Sequence, residues 1–281
     1  MGIIQSKSVI ETIKDNYDQI FSSEKKIADF ILASPELAVN ANVSELANYS
    51  NVSDATVIRF CKHIGYQGYY QLRINLSRDL GRKQSRFIES TNGEADTVDN
   101  LFKMIAADMM RIGQNIDQST MVNCANLIKK CNHAHIIAVG NTSPFAQYMG
   151  FRLGRLGIKC SYGIVAEYFM NHINLAEKGD IVIAISQSGC SKQVVQAMEL
   201  AKEKSLKQIA ITAYKYSPVS SLADYLLLSD VGERTVYSSK NYSHLYEAAV
   251  IDALLYFVTN EETINANDAD KPEIIFSEYK L

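Results

Sequence analysis

Two rhythms of apolar positions divide the chain. Over residues 1–80 the apolar side chains recur at helical spacing. They do so in "SVIETIKDNYDQI" and "SEKKIADFIL", and Pro35 in "ASPEL" breaks the second run. From Leu101 the rhythm changes. After the helical stretches "LFKMIAADMMRIGQNI" and "TMVNCANLIKKC" come short strand-like runs: "HIIAVG", "KCSYGI", "DIVIAIS", "KQIAIT" and "DYLLLS". Amphipathic helices such as "PFAQYMGFRLGRLG" and "SKQVVQAMELAKEK" lie between the first four, and "HLYEAAVIDALLYFV" closes the series. Apolar strands alternating with helices predict an α/β domain with a doubly wound, mainly parallel sheet and right-handed crossovers. An all-α unit precedes it. The stretch "RKQSRFIESTNGEADT" lacks periodicity and contains Asn92-Gly93. The expected division is therefore a helical domain at 1–80, a linker at 81–100 and the α/β domain at 101–281.

Within the helical part, "VSELANYSNVSDATVIRFCKHIG" has the form of a helix-turn-helix. Leu46 and Ala47 mark the inner face of the first helix, Val52 fills the turn, and Val57 and Phe60 face back from the second. Asn51 takes the turn position that needs a left-handed backbone, which Asn tolerates. Ser53 is placed to cap the second helix. That helix is expected to expose Asp54, Ala55, Thr56, Arg59 and Lys62. Small and polar residues followed a turn later by cations suit base edges and then phosphates, so Ser53, Asp54, Ala55, Thr56, Arg59 and Lys62 are the candidate DNA-reading positions. A helical hairpin with a solvated charged face gives the same short pattern.

Charge sharpens that reading. The chain has 281 residues and a formal net charge of −3, which does not favour nonspecific binding of a polyanion. Between residues 54 and 86, however, seven cations (Arg59, Lys62, Arg73, Arg78, Arg82, Lys83, Arg86) face two anions (Asp54, Asp79). This local excess extends the expected electrostatic footprint on DNA. The five cysteines show neither paired CxxC nor Cys/His ligand spacing, so neither a disulfide framework nor a metal site is expected. No cofactor is indicated. The N-terminus is charged and helical rather than signal-like, and no apolar run approaches the ~18–20 residues of a membrane span. A cytoplasmic protein without a membrane partner is expected.

Candidate chemistry lies where two strands end. "ISQSGCS" follows "DIVIA", and a helix begins directly afterwards. The first turn of such a helix presents free N–H groups and a positive dipole end. Gly189 removes a side chain that would keep an anion away, and Ser186, Ser188 and Ser191 add hydroxyls. The set describes a phosphate cradle without lysine. It is not a Walker A loop. Gly140, Asn141, Thr142 and Ser143 form a second loop of the same style after the first strand. In a doubly wound sheet, ligands bind between two such loops. Ordinary helix capping accounts for serines in these places as well.

On "VSDATVIRFCKHIGYQGYYQLR", "ISQSGCSKQVVQAMELAK" and "ITAYKYSPVSSLAD", the chain resembles the RpiR family of bacterial transcriptional regulators, an N-terminal helix-turn-helix joined to a sugar isomerase (SIS) domain. The resemblance implies a homodimer, with a tetramer as the larger alternative, whose SIS domain senses a phosphosugar effector and controls binding to operator DNA. It implies that Ser186, Ser188 and Ser191 line the phosphate site, with Thr142 in the place of a family serine. Gln187 and Glu247 complete the candidate phosphosugar set. Gln193 stands where an acidic residue is common, and His244 and Glu247 stand where Arg and Gln are common.

SIS domains also occur in isomerases, so a sugar-phosphate isomerase with an accessory helix-turn-helix is the competing reading. Such an enzyme needs a base beside the carbonyl. Glu167, His172, Glu233, His244 and Glu247 are the local candidates, and none sits in a pattern that demands catalysis. The attached helix-turn-helix gives ligand binding another use, so no catalytic residue is assigned.

Overall fold

The structure, a computed structural model, describes residues 7–41, 43–84, 97–163, 165–230, 244–259 and 277. Six helices form the N-terminal unit: α1 (Val9–Asn16), α2 (Ser22–Ala33), α3 (Pro35–Asn40), α4 (Val43–Tyr49), α5 (Asp54–His63) and α6 (Tyr69–Gln84). Their apolar stripes converge on one core. Val9, Ile13, Ile27, Ile31, Leu46, Val57, Phe60, Leu72 and Leu76 are all fully buried in it. Each such side chain contributes about 1.5–3 kcal/mol by leaving water. Pro35 starts α3 at its first helical position, where no N–H is needed.

The turn between α4 and α5 follows its sequence signals. Asn51 has φ 49°, and the Val52 N–H closes the turn on the Ala47 carbonyl. The Ser53 side chain accepts from the Thr56 N–H at the start of α5.

α6 runs on to Gln84, and α7 (Val98–Asn115) begins inside the expected linker, so both ends of that stretch are helical. Asn92-Gly93 lies outside the described residues. α8 (Gln118–Lys130) then leads into the sheet.

All five apolar runs form strands: β1 (Ala134–Ile137), β2 (Cys160–Gly163), β3 (Ile181–Ile185), β4 (Lys207–Thr212) and β5 (Tyr225–Leu228). They pair in parallel in the order β2-β1-β3-β4-β5. Alternation splits the strand residues between two layers. Ile136, Ile183, Ile185, Ile209 and Ile211 pack with α7, α8, α9 (Ser143–Arg155) and α13 (Leu245–Val258). Ile137, Val182, Ala184 and Ala210 pack with α10 (Ala166–Asn174), α11 (Lys192–Glu203) and α12 (Pro218–Leu222). Burial on both faces explains why β3 reads as an unbroken apolar run. The helices after β1 and β3 leave toward opposite faces, so a crevice opens between the C-terminal ends of these adjacent strands.

At the opposite end of the sheet lies a buried polar cluster. His135 of β1 has Nδ1 2.9 Å from Ser161 Oγ and Nε2 3.4 Å from Asp180 Oδ2, and its ring centroid is 4.7 Å from that of His133. Burial pushes the pKa of both histidines below the ordinary 6.5, with Asp180 opposing and with His172 adding to the depression. The folded chain therefore holds these rings neutral while the unfolded chain takes up protons as pH falls through about 6.5. Stability should decline as pH drops below that point. Thermal melts at pH 7.5 and 5.5 should show a lower midpoint at the acid value, and His135→Gln should narrow the difference. An unchanged difference would remove the cluster as its source.

Candidate functional site

β3 ends in the loop Ser186–Ser191, and its main chain is fixed from several sides. The Ser186 N–H donates to Ile211 O, extending the sheet by one rung. The Gly189 N–H donates to Ser186 O and closes a turn. Gln187 O accepts from the Ala213 N–H and from Thr212 Oγ1 at 3.1 Å, and Gly189 O accepts from the Val219 N–H. α11 starts after Ser191 with no side chain capping it, so the N–H groups of its first turn are left for another acceptor. The hydroxyls gather around that turn. Ser186 Oγ lies 3.4 Å from Ser191 Oγ, and Ser188 Oγ accepts from the Cys190 N–H at 3.3 Å. Ser186 is buried, Ser188 and Ser191 are half-buried, and Gln187 is exposed.

Gly189 is needed for a reason other than room for an anion. Its φ is +63°, and a Cβ there would stand 2.1 Å from Ser217 Oγ and 2.4 Å from Ser217 Cβ. Ser217 caps α12, so the glycine lets the loops after β3 and β4 close on each other. Burial raises the Cys190 thiol above its ordinary range, with Arg73 opposing, which keeps it protonated and unreactive.

The loop after β1 is a short 3-10 turn, Gly140–Thr142, entered through Gly140 at φ +62°. Gly140 and Asn141 are exposed, and Ser143 Oγ turns back on Gly140 O. Thr142 is buried, and its hydroxyl lies 3.0 Å from Val139 O and 3.1 Å from Ile185 O. It thus ties this loop to the end of β3 and spends its one proton on main chain. Both expected loops stand at the carboxyl end of the sheet, on either side of the crevice.

Glu247 lies in the first turn of α13. It is buried, and its Oε1 accepts from Ser229 Oγ at 2.8 Å, just past the end of β5. Of the other carboxylates and imidazoles weighed as bases, Glu167 and His172 are exposed on α10, and Glu233 lies outside the described residues. Among the described residues, no group of three or more His, Cys, Asp or Glu is placed to hold a metal ion. No described helix is long and apolar enough to cross a membrane.

The N-terminal unit docks on this same edge. From α6, Arg73 Nη2 donates to Cys190 O at 3.0 Å, while Nη1 donates to Ala41 O at 3.2 Å. Ser77 Oγ donates to Tyr216 O, and Arg78 Nε lies 3.5 Å from the Tyr214 hydroxyl. Two cations of the basic segment are thereby withdrawn from the expected DNA footprint. Nothing in the sequence pointed to them, because arginine at any exposed helical position reads alike.

On the outer face of α5, Ser53, Asp54, Ala55, Arg59 and Lys62 are exposed as expected. Thr56 is not. It is buried, with Oγ1 2.9 Å from Ser53 Oγ and 3.4 Å from Arg59 Nη2. Position 56 falls on the inner stripe beside Val57, so Thr56 braces the cap and Arg59 rather than reaching outward. Asp54 Oδ2 accepts from Ser44 Oγ at 2.6 Å and locks α4 to α5. Arg82 and Lys83 lie in the last turn of α6, and Arg86 lies outside the described residues.

Comparison with known proteins gives two family matches: a helix-turn-helix domain of the rpiR family over residues 7–83 and a SIS domain over residues 127–253. Among relatives, the HTH-type transcriptional regulator HexR of Escherichia coli is 26% identical, over 88% of this chain and 86% of its own. RpiR of the same organism is 23% identical, over 87% and 84%. Among solved structures, the Vibrio vulnificus NanR protein complexed with ManNAc-6P superposes with a TM-score of 0.66 at 21% identity. That match covers 97% of this chain and 99% of NanR.

The loop geometry makes its own prediction. Gly189→Ala should destabilise the protein by at least roughly 1–3 kcal/mol in denaturant titration, from positive-φ strain, with the Ser217 clash in addition. Gly140→Ala, with open space around its Cβ position, should lose less. Parent-like stability of Gly189→Ala would show that the two loops are not held together as described.

Proposed function

The chain belongs to the rpiR family of helix-turn-helix transcriptional regulators with a SIS domain, and from that premise we propose that a phosphosugar in the β1/β3 crevice sets its affinity for operator DNA. One observation carries the reading: the serine loop that would hold the phosphate is the loop gripped by Arg73 of α6. A ligand that shifts the loop's main chain shifts the seat of the DNA-binding unit. The phosphate oxygens accept from the hydroxyls of Ser186, Ser188 and Ser191 and from the uncapped N–H groups of α11. Thr142 holds the two loops in register, while Gly140, Asn141, Ser143, Gln187 and Glu247 border the sugar. A bound ManNAc-6P in a solved relative of the same fold supports the ligand class.

Arg59 and Lys62 supply the cationic end of the DNA-reading helix, and Ser53, Asp54 and Ala55 its approach to the bases, with Thr56 as a brace. The protein acts in the cytoplasm as a homodimer built by the SIS domains, with a tetramer as the larger assembly. Half-sites then recur at about 10 bp or a multiple. Ligand binding serves regulation and yields no product.

Calorimetry with sugar phosphates and their unphosphorylated counterparts tests this. Only the phosphorylated compounds should bind, and Ser188→Ala should lose about 1.5–3 kcal/mol of binding through one hydrogen bond to a charged oxygen. Arg59→Ala should bind DNA more weakly without changing sugar affinity. Equal binding of phosphorylated and plain sugars, or an unaffected Ser188→Ala, would reduce the loop to a helix start.

A further inference from the structure

We propose that His244 and Glu247 form a second polar anchor of this site and restrict it to sugar monophosphates without a carboxylate, rejecting phosphorylated sugar acids. The inference rests on the phosphosugar reading above and adds to it the chemistry of the sugar's other end.

The motivating observation is a buried imidazole whose ring nitrogens make no hydrogen bond among the described residues. The His244 side chain is 9% exposed, and both ring nitrogens are closed off from solvent with no hydrogen bond among the described residues. Buried polar nitrogens are ordinarily satisfied, so an orphaned pair calls for a ligand or water that completes it. Nδ1 lies 3.4 Å from Glu247 Oε2, within ion-pair distance but not aligned as a hydrogen bond. The other Glu247 oxygen is held by Ser229.

Position ties the pair to the crevice. Ser229 follows β5, and its N–H donates to Thr212 O at the end of β4. On its other side the His244 ring faces Phe145, centroids 5.6 Å apart, at the start of α9 beside the β1 loop. β3 and β4 lie between β1 and β5 in the sheet. The pair therefore lies at the carboxyl ends of the strands, with Glu247 on the end of β5 and His244 against the start of α9.

The two ends of the site differ in chemistry. The serine loop offers hydrogen-bond donors to an anion. At the other end the Glu247 carboxylate supplies acceptor oxygens, and the two free His244 ring nitrogens add hydrogen-bonding capacity for a sugar hydroxyl. Among the described residues, Glu247 is the carboxylate at this end. A carboxylate on the ligand would meet Glu247 in a poorly screened setting. Arg73, beside the serine loop, donates to the carbonyls of Ala41 and Cys190.

The test is calorimetry on the full chain with glucose 6-phosphate, glucosamine 6-phosphate, 6-phosphogluconate and inorganic phosphate. Parent protein should bind a neutral or amino sugar phosphate at least about tenfold more tightly than 6-phosphogluconate. Glu247→Gln keeps the side-chain shape and the acceptor for Ser229, and it should bring that ratio toward one. His244→Ala should weaken the sugar phosphate about tenfold and leave inorganic phosphate unchanged. Equal binding of sugar acid and neutral sugar by the parent overturns the inference, as does a preference that survives both substitutions in folded variants. Conversion of a bound sugar phosphate to its isomer would make the pair a base and overturn it as well. Failure of every phosphate compound to bind, or binding indifferent to Ser188→Ala, sinks the phosphosugar reading itself and this inference with it.

Discussion

The hydrogen bond from the Arg73 guanidinium to the Cys190 carbonyl joins the two halves of the molecule at the point where a ligand would bind. Its second arm holds Ala41 O between α3 and α4, so one rigid fork connects the helix-turn-helix unit to the serine loop. The Tyr69 ring lies under the guanidinium, 5.9 Å away, and the Tyr69 hydroxyl is itself fixed on Ala38 O. Such a contact has two discrete states, made or broken. Around it the loop is closed by the approach of Gly189 to Ser217 and by the rungs to Ala213 and Val219.

The donors of the serine loop are neutral. Hydroxyls and backbone N–H groups hydrogen-bond phosphate oxygens without the added attraction of a fixed positive charge. Coupling between ligand and DNA needs only about 1–3 kcal/mol of difference between two states, the scale of one or two such contacts. On the proposed reading, serine hydroxyls at one end and His244 with Glu247 at the other would give a ligand two footholds.

Much of this was legible in the sequence because it is local. Five apolar runs gave five strands, Asn51 and Ser53 fixed the turn and cap between α4 and α5, and the two hydroxyl-rich loops fell at the ends of β1 and β3. What escaped is long-range. Arg73 meets Cys190 across 117 residues of sequence and Ser77 meets Tyr216 across 139, and periodicity marks a helix's buried face without naming its neighbour. The same limit hid why Gly189 is glycine, since Ser217 fills the missing side chain's place. Thr56 was misplaced because its polarity argued for exposure, while its position beside Val57 turned it inward.

The central claim is energetic coupling between the crevice and the DNA-reading helix, and reciprocity tests it most directly. DNA affinity would be measured by anisotropy on a duplex selected by the protein from a random library, with and without a saturating sugar phosphate. Sugar affinity would then be measured with and without that duplex. The account predicts equal factors in the two directions, and a common loss of the factor in Arg73→Gln, with both ligands still bound. Sugar and DNA binding that ignore each other in the parent protein would contradict it.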